Sequence, residues 1–183
     1  MCKFLFQEIR YIDQQTHQPG LAIPLRSIAG RLSHADDYRF YLETLIEWKT
    51  NLECRVHTYC LMTNHVHLVI DPGAQAEHPA LLMKRVAGRY TRYINKKESR
   101  TGTVWEGRYK SSLIDKGGYL MACCRYVEMN PVRAGAVMCP EDYRWSSYRA
   151  KAGLVKEEWL DYDAFYMGLG KSEKHVRDAT GNG

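Results

Sequence analysis

Hydrophobic and polar positions along the chain define one hairpin more clearly than any other element. Two apolar runs, Cys54–Leu61 and Asn64–Asp71, meet at a short connection, Met62-Thr63-Asn64. Runs of this length that are rich in Val, Ile, Thr and Tyr are typical of strands, and a short connection favours antiparallel pairing. Pro72-Gly73 then ends the second run. The sequence therefore predicts a β-hairpin in the middle of the chain.

Apolar residues recur at helical spacing in three further segments. The first extends to Trp48 and has a candidate N-cap at Ser33 or Asp36. The second covers about residues 78–97. The third covers residues 118–130, and the proline that follows disfavours helical geometry beyond that point. Three helices are therefore predicted, one before the hairpin and two after it.

Two shorter segments complete the predicted order of elements. Leu21–Ile28 is apolar enough for a strand, but Pro24 favours an edge position or a break. Thr103–Ile114 is typical of a strand or of a loop followed by a strand. The order strand, helix, hairpin, helix, strand, helix predicts an α+β fold, a ferredoxin-like antiparallel sheet with helices packed on it. We expect residues 1–135 to form this domain and residues 136–183 a C-terminal extension.

Composition narrows the class of protein. The chain has 183 residues, 45% of them hydrophobic, which fits one domain with a sizeable core. No apolar run is long enough to span a bilayer and no signal peptide is recognisable, which argues against a membrane protein. The six cysteines include no C-x-x-C pair. We therefore expect reduced thiols in a cytoplasmic protein rather than a disulfide framework or a zinc knuckle.

Positive charge is concentrated rather than large, since the formal net charge is only +5. Four basic residues of the second predicted helix follow the spacing i, i+4, i+7 and i+11, which is one face. A solvated helix face usually mixes charge signs, so this stripe favours contact with phosphates. Two basic residues after the helix extend it. The predicted DNA-binding residues are Arg85, Arg89, Arg92, Lys96, Arg108 and Lys110.

Two aromatic residues are interleaved with the basic residues after the second predicted helix. Trp105 and Tyr109 could stack on unpaired bases, which is how many proteins bind single strands. They could equally belong to the hydrophobic core. The sequence leaves these two interpretations open.

Candidate chemistry starts in the second strand of the hairpin. Side chains alternate faces along a strand, so His65 and His67 project the same way and Val66 the opposite way. Two imidazoles on one face can hold a single divalent ion. The plainer alternative is a sheet edge with two solvated histidines.

The third predicted helix offers a second group of polar side chains. Tyr119, Cys123, Tyr126 and Asn130 share one face. Because the helix is expected to end at Asn130, its amide would be free to turn towards a ligand. Taken alone, Tyr126 on this face is better explained as a core tyrosine of an amphipathic helix than as part of a site.

Four blocks of the sequence carry a family resemblance. They are Cys60–Leu68, Gly102–Tyr109, Arg125–Arg133 and the Trp-Ser-Ser-Tyr segment within Pro140–Arg149. In this order and spacing they resemble the REP-associated tyrosine transposases, a branch of the single-tyrosine HUH transposases. That family usually opens with a strand carrying a short basic, glycine-containing motif. Leu21–Leu32 matches this motif poorly.

The resemblance implies an enzyme of DNA transposition and recombination that cleaves and rejoins single-stranded DNA. Carried over by position, His65 and His67 are metal ligands and Tyr126 is the nucleophile that forms a 5′-phosphotyrosine. Asn130 takes the position of the third protein ligand. Since Asn130 stands i+4 from Tyr126 but three turns from Tyr119, Tyr126 is the preferred nucleophile.

The resemblance also implies a cofactor and a partner. The cofactor is a divalent metal, Mg²⁺ or Mn²⁺. It suits the chemistry because a phenol with a pKa of about 10 is a poor nucleophile without a nearby cation. The partner is single-stranded DNA beside a REP-like hairpin. We expect a monomer or homodimer that works in the cytoplasm at the nucleoid.

Two other functions remain compatible with the residues. A ferredoxin-like module could bind nucleic acid without catalysis, with incidental histidines. A metal-dependent phosphodiesterase could use water as nucleophile, with Tyr126 as a core residue. A covalent protein–DNA adduct separates both from the transposase.

Overall fold

The fold is an antiparallel sheet with helices on both faces, so the predicted ferredoxin-like α+β class is confirmed. No helix among the described residues is long and apolar enough to cross a bilayer. Arg108 lies outside the described residues, as does most of the segment before Leu32. The computed structural model describes residues 21–22, 25–27, 32–107, 109–114 and 118–163.

The predicted hairpin forms the centre of the sheet. Its two strands pair in antiparallel fashion, with Cys60 opposite His67 and Leu61 opposite Val66. One register shift falls at His57, between the pairs made by its two neighbours. The strands are β1 (Leu21–Ala22), β2 (Leu25–Ser27), β3 (Arg55–Leu61), β4 (His65–Asp71) and β5 (Leu113–Ile114).

The first predicted strand contributes two short strands, β1 and β2, which both pair with β4. Ala22 lies opposite Ile70, and Leu25 lies opposite His67. β1 also pairs with β5, so β1 is inside the sheet. Of the two alternatives predicted from Pro24, the edge position is wrong for β1, whereas a break agrees with the division into β1 and β2. Pro24 itself lies outside the described residues. The order across the sheet is β3, β4, β1 with β2, and β5.

The three predicted helices are present, with corrected ends for two of them. The first begins after His34 and not after Ser33 or Asp36, because the Asp37 carboxylate accepts the backbone amides of Ser33 and His34, at 3.2 and 3.0 Å. The second has the predicted bounds. The long helices are α1 (Ala35–Asn51), α2 (His78–Lys97) and α3 (Gly118–Glu128).

The third helix ends two residues earlier than predicted. Asn130 opens a separate short helix, α4 (Asn130–Arg133), with Pro131 in its first turn, where a missing N–H costs nothing. A 3₁₀ turn (Pro140–Asp142) and a short helix α5 (Tyr148–Lys151) follow. The proline therefore starts a helix here rather than only ending one.

The sheet separates two hydrophobic clusters. Val66, Leu68 and Ile70 of β4 belong to the larger cluster, which is formed with α1 and α2. Val69 belongs to the smaller cluster, which is formed with Cys60 and the apolar side of α3. Period-two alternation along β4 thus assigns α1 and α2 to one face and α3 to the other.

The C-terminal segment covers the outer edge of β3. The Leu61 amide donates to the Trp145 carbonyl at 2.9 Å, and the Ser147 amide donates to the Tyr59 carbonyl at 3.0 Å. Further along the strand, Asp161 exchanges backbone and side-chain hydrogen bonds with Val56. The domain boundary at residue 135 stays a prediction. The described residues beyond it nevertheless complete the sheet edge.

An ion pair between a buried lysine and a partly exposed aspartate holds this segment against α1. Lys49 is only 8% exposed, its ammonium forms an ion pair with Asp161, and it donates to the Trp159 carbonyl at 2.6 Å. The same carboxylate accepts the Val56 amide at 2.7 Å. Loss of the carboxylate would leave both the buried ammonium and that amide without this acceptor.

Asp161→Ala is expected to lower the free energy of unfolding by about 2 kcal/mol, less than for a fully buried pair because the carboxylate is partly exposed. Urea denaturation measures this. Glu158→Ala, which removes an exposed partner of Lys156 in the same segment, is the matched control and should change stability by under about 0.5 kcal/mol. Equal, small effects of the two substitutions would mean that Asp161 does not hold the segment in place.

Candidate active site

His65 and His67 lie on the face of β4 that is covered by α3. β4 is an interior strand, paired with β3 on one side and with β2 on the other. His65 is half-buried and His67 is 4% exposed. The alternative of two solvated histidines at a sheet edge is therefore wrong.

The two imidazoles form a compact pair. Their ring centroids are 4.7 Å apart and their planes are nearly perpendicular. Nδ1 of His65 lies 2.7 Å from Oδ1 of Asn64. An amide oxygen only accepts hydrogen bonds, so this contact assigns the proton to Nδ1 and leaves the lone pair of Nε2 available. Asn64, the last residue of the hairpin connection, thus orients one of the two rings.

His67 has two buried ring nitrogens that find no hydrogen-bond partner in the described protein. Such groups are rare because each costs the free energy of its lost hydration. Burial, followed by the charges of His65 and Arg133, lowers the pKa of His67 to about 3. Burial also lowers the pKa of His65. Both rings are therefore neutral at pH 7, as metal ligands must be, and the pair fits a divalent ion.

The structure offers no acidic residue or thiol, within its described part, as a third ligand beside the two histidines. Among the described residues no group of three His, Cys, Asp or Glu side chains could hold a metal ion. Asn130 would supply an amide oxygen instead. The prediction that the Asn130 amide would be free is wrong for its nitrogen, which donates to the carbonyls of Tyr126 and Val127 at 2.9 and 3.2 Å. Asn130 thereby caps the end of α3, and Oδ1 is the atom that could bind a metal.

Tyr126 lies on α3 next to the histidines. Its ring centroid is 6.3 Å from that of His67, with the planes nearly perpendicular, and the side chain is half-buried. Tyr119 instead has a hydrogen bond to Cys123, and burial raises the pKa of its phenol. In the described part of the chain no ring contact links Tyr119 to either histidine. The geometry thus favours Tyr126 over Tyr119.

Glu128 holds the helix that carries Tyr126. Its buried carboxylate accepts hydrogen bonds from Thr58 of β3 and Ser147, at 2.8 and 2.7 Å, and forms an ion pair with Lys151 of α5 at 2.9 Å. Sequence analysis did not find this network, because its members are up to 93 residues apart, from 58 to 151, and no local pattern links them. Its effect is to fix α3 against the sheet.

The basic stripe of α2 lies on the opposite face of the sheet from the histidines. Half of it contacts α1: Arg89 forms an ion pair with Glu47, and the Arg85 guanidinium stands 5.0 Å from the centre of the Trp48 ring. Arg92 and Lys96 are exposed. The stripe therefore combines two anchored arginines with two basic residues that extend into solvent.

The residues after α2 separate into core and surface. Trp105 is 7% exposed and its Nε1 donates to the Ala87 carbonyl at 3.0 Å, so for this residue the core interpretation is correct. Tyr109 is half-buried against the same cluster. Lys110 is exposed and remains a candidate for contact with phosphates.

Arg133 was not predicted as a site residue, yet it contacts the candidate nucleophile. Its guanidinium carbon lies 4.5 Å from the centre of the Tyr126 ring. The signal that could have found it is spacing, because residues seven apart return to the same side of a helical path.

Comparison with known proteins gives three similarities. Residues 31–130 match the family described as "Transposase IS200 like". A Haemophilus influenzae protein named as a putative REP-associated tyrosine transposase is 24% identical over 111 residues, which is 55% of this chain; the chain spans only 63% of that relative. A solved REP-associated tyrosine transposase bound to a REP hairpin superposes on this chain with a TM-score of 0.64 at 15% identity. The superposition covers 85% of this chain and 96% of the solved one, so the two share a fold. The predicted resemblance is confirmed, and the chain belongs to the IS200-like transposase family.

Proposed function

We propose that this transposase cleaves and rejoins single-stranded DNA through Tyr126 at a metal site formed by His65 and His67. The observation that carries the proposal is the pair of unpartnered, buried nitrogens of His67, 6.3 Å ring to ring from Tyr126. A buried histidine without partners is costly to keep unless a ligand completes it. A tyrosine beside it on a separate helix supplies a nucleophile.

The metal would be held by the two imidazoles and by Oδ1 of Asn130. Bound there, Mg²⁺ or Mn²⁺ would polarise the scissile phosphate and offset charge on its non-bridging oxygens. The protein contributes neutral, oriented ligands: His65 is hydrogen-bonded to Asn64, and His67 is kept neutral by burial. Asn130 contributes twice, since its nitrogen also fixes the backbone of Tyr126.

The reaction needs no external energy source. The phenolic oxygen of Tyr126 bonds to phosphorus while the bond from phosphorus to the 3′ oxygen breaks. The phenolic proton is transferred, overall, to the departing oxygen, which becomes a free 3′-hydroxyl. The step replaces the ester bond to the 3′ oxygen with an ester bond to the tyrosine. Attack by a 3′-hydroxyl on the 5′-phosphotyrosine can therefore reverse the step and rejoin a strand.

The DNA substrate is proposed from the named relatives and from charge. One relative is named for REP elements and the structural neighbour is bound to a REP hairpin, so we expect a REP-like hairpin beside a single-stranded cleavage site. The basic stripe would contact the phosphates of such DNA. Contacts to phosphates position DNA without reading its bases, so the stripe should favour DNA shape over sequence.

A module that only binds DNA and a hydrolase that uses water are the competing functions. Neither forms a protein–DNA bond that survives denaturation. Incubation with single-stranded DNA from the protein's own genomic flanks and Mg²⁺ or Mn²⁺, followed by denaturing electrophoresis, tests the proposal. An adduct supports it, and its absence with cleaved DNA would favour the hydrolase.

His65→Ala and His67→Ala are each expected to abolish cleavage while changing the Kd for DNA by less than about threefold, because the imidazoles serve the reacting phosphate and not overall affinity. Cleavage assays and fluorescence anisotropy measure the two effects. His34→Ala, at an exposed histidine before α1, is the control and should retain both. Parallel loss of binding and cleavage would make the histidines structural.

Tyr126→Phe should eliminate the covalent adduct and leave the fold unchanged, because only a hydroxyl is removed. Tyr119→Phe, on the same helix, should retain the adduct. Denaturing electrophoresis of labelled DNA measures both. An adduct formed by Tyr126→Phe but not by Tyr119→Phe would show that the nucleophile has been assigned to the wrong residue.

Replacing Arg92 and Lys96 together with Ala should weaken binding to all hairpins alike and reduce the slope of log affinity against log salt by about 0.9 for each phosphate that the protein no longer neutralises. Cleavage at saturating DNA should be unaffected, because both residues lie on α2, across the sheet from the histidines. Arg39→Ala, at an exposed arginine of α1, serves as the control. An unchanged slope would mean that DNA does not contact the stripe.

A further inference from the structure

Arg133 is the last residue of α4, and its side chain contacts Tyr126 on the preceding helix, α3. Asn130 and Pro131 open α4 immediately after α3, so the chain continues in helical turns past the tyrosine. Long side chains in a helix lean towards its N-terminus, and this brings the arginine back over the preceding helix. The guanidinium carbon consequently lies 4.5 Å from the centre of the Tyr126 ring.

Two observations show that this arginine is close to the reacting groups and accessible to DNA, rather than packed only on an aromatic surface. The ring that it contacts is that of the proposed nucleophile, whose centroid is 6.3 Å from His67. Arg133 itself is exposed, so DNA can approach it.

The position of Arg133 matters because the reacting phosphodiester would lie between Tyr126 and the histidines. A phosphodiester attacked by Tyr126 and held at His65 and His67 must lie beside the Tyr126 ring, where the guanidinium is. A guanidinium binds two oxygens of one phosphate in a fork and stays charged at any physiological pH. The contact with the ring also favours one ring orientation before DNA arrives, since the guanidinium is attracted to the ring face.

We propose that Arg133 binds a non-bridging oxygen of the phosphate that Tyr126 attacks and stacks on the Tyr126 ring to position it. This rests on the proposed function, because it presumes that Tyr126 is the nucleophile. Arg133 then supplies the positive charge on the side of the phosphate that faces the tyrosine, while the histidine site serves the other side. The stripe on α2 has a different task, the binding of flanking DNA.

Arg133→Met keeps an unbranched apolar stem for the ring and removes the charge, whereas Arg133→Lys keeps the charge and removes the fork. The rate of adduct formation at saturating DNA should fall about 100-fold for Met, with a smaller loss for Lys. The Kd for hairpin DNA should stay within about threefold of the wild-type value. Arg144→Met is the matched control, since Arg144 is an exposed arginine whose guanidinium lies 5.0 Å from the centre of the Trp145 ring rather than over Tyr126.

A second substrate separates phosphate binding from a merely structural role. A methylphosphonate at the cleavage position replaces one non-bridging oxygen with a methyl group and removes the negative charge. If Arg133 binds that oxygen, wild type and Arg133→Met should form adduct with this DNA at nearly equal rates. An equal defect of about 100-fold on both substrates would overturn the proposal, as would a wild-type rate for Arg133→Met on natural DNA. If Arg133→Met does not fold, Arg133→Lys is compared on the same two substrates.

The outcome also distinguishes this proposal from the function on which it rests. Wild-type adduct that disappears in Tyr126→Phe supports the proposed function whatever Arg133 does. Absence of any wild-type adduct overturns the function and the role of Arg133 together. A normal wild-type adduct with no substrate-dependent effect of Arg133→Met overturns the role of Arg133 alone.

Discussion

Strand β4 carries core residues on one face and the histidine pair on the other, and the rest of the fold depends on this division. One face is a row of branched apolar residues, Val66, Leu68 and Ile70, packed against α1 and α2. The other carries His65 and His67 under α3. Because side chains alternate along a strand, a slip of one residue in the pairing would exchange these faces. The apolar row would then lose its packing against α1 and α2, and the histidines would be buried there instead. The register of the hairpin therefore determines the core and the candidate metal site together.

The second half of the site is held from outside the sheet. α3 brings Tyr126 to the histidines, and its position is fixed by the Glu128 carboxylate, which accepts from Thr58 and Ser147 and pairs with Lys151. Asn130 caps the same helix. A nucleophile has to be held within a fraction of an ångström of its working position, so such contacts matter as much as the residues that react. Glu128 is therefore best understood as a residue that stabilises the site rather than one that acts in it.

Local patterns predicted the hairpin, the three long helices and the shared face of His65 and His67, because each depends on residues close together in the chain. The sequence could not predict what covers the edge of β3, since Trp145 and Ser147 meet that strand across more than 80 residues. The helix end predicted from Pro131 was misplaced, because a proline is compatible both with the end of one helix and with the first turn of another. The contact of Arg133 with Tyr126 depends on that second helix, which explains why the arginine was missed.

The covered edge of β3 has a consequence for how the chain reaches its fold. The hairpin of β3 and β4 can form once residue 71 has left the ribosome, but its outer edge is completed only when residues 145–147 have followed. During synthesis the carbonyl of Tyr59 and the amide of Leu61 therefore wait several seconds of translation for their partners. An open strand edge readily pairs with other strands, so the nascent protein passes through a period in which it is exposed to aggregation. The last part of the described chain ends that period by closing the edge.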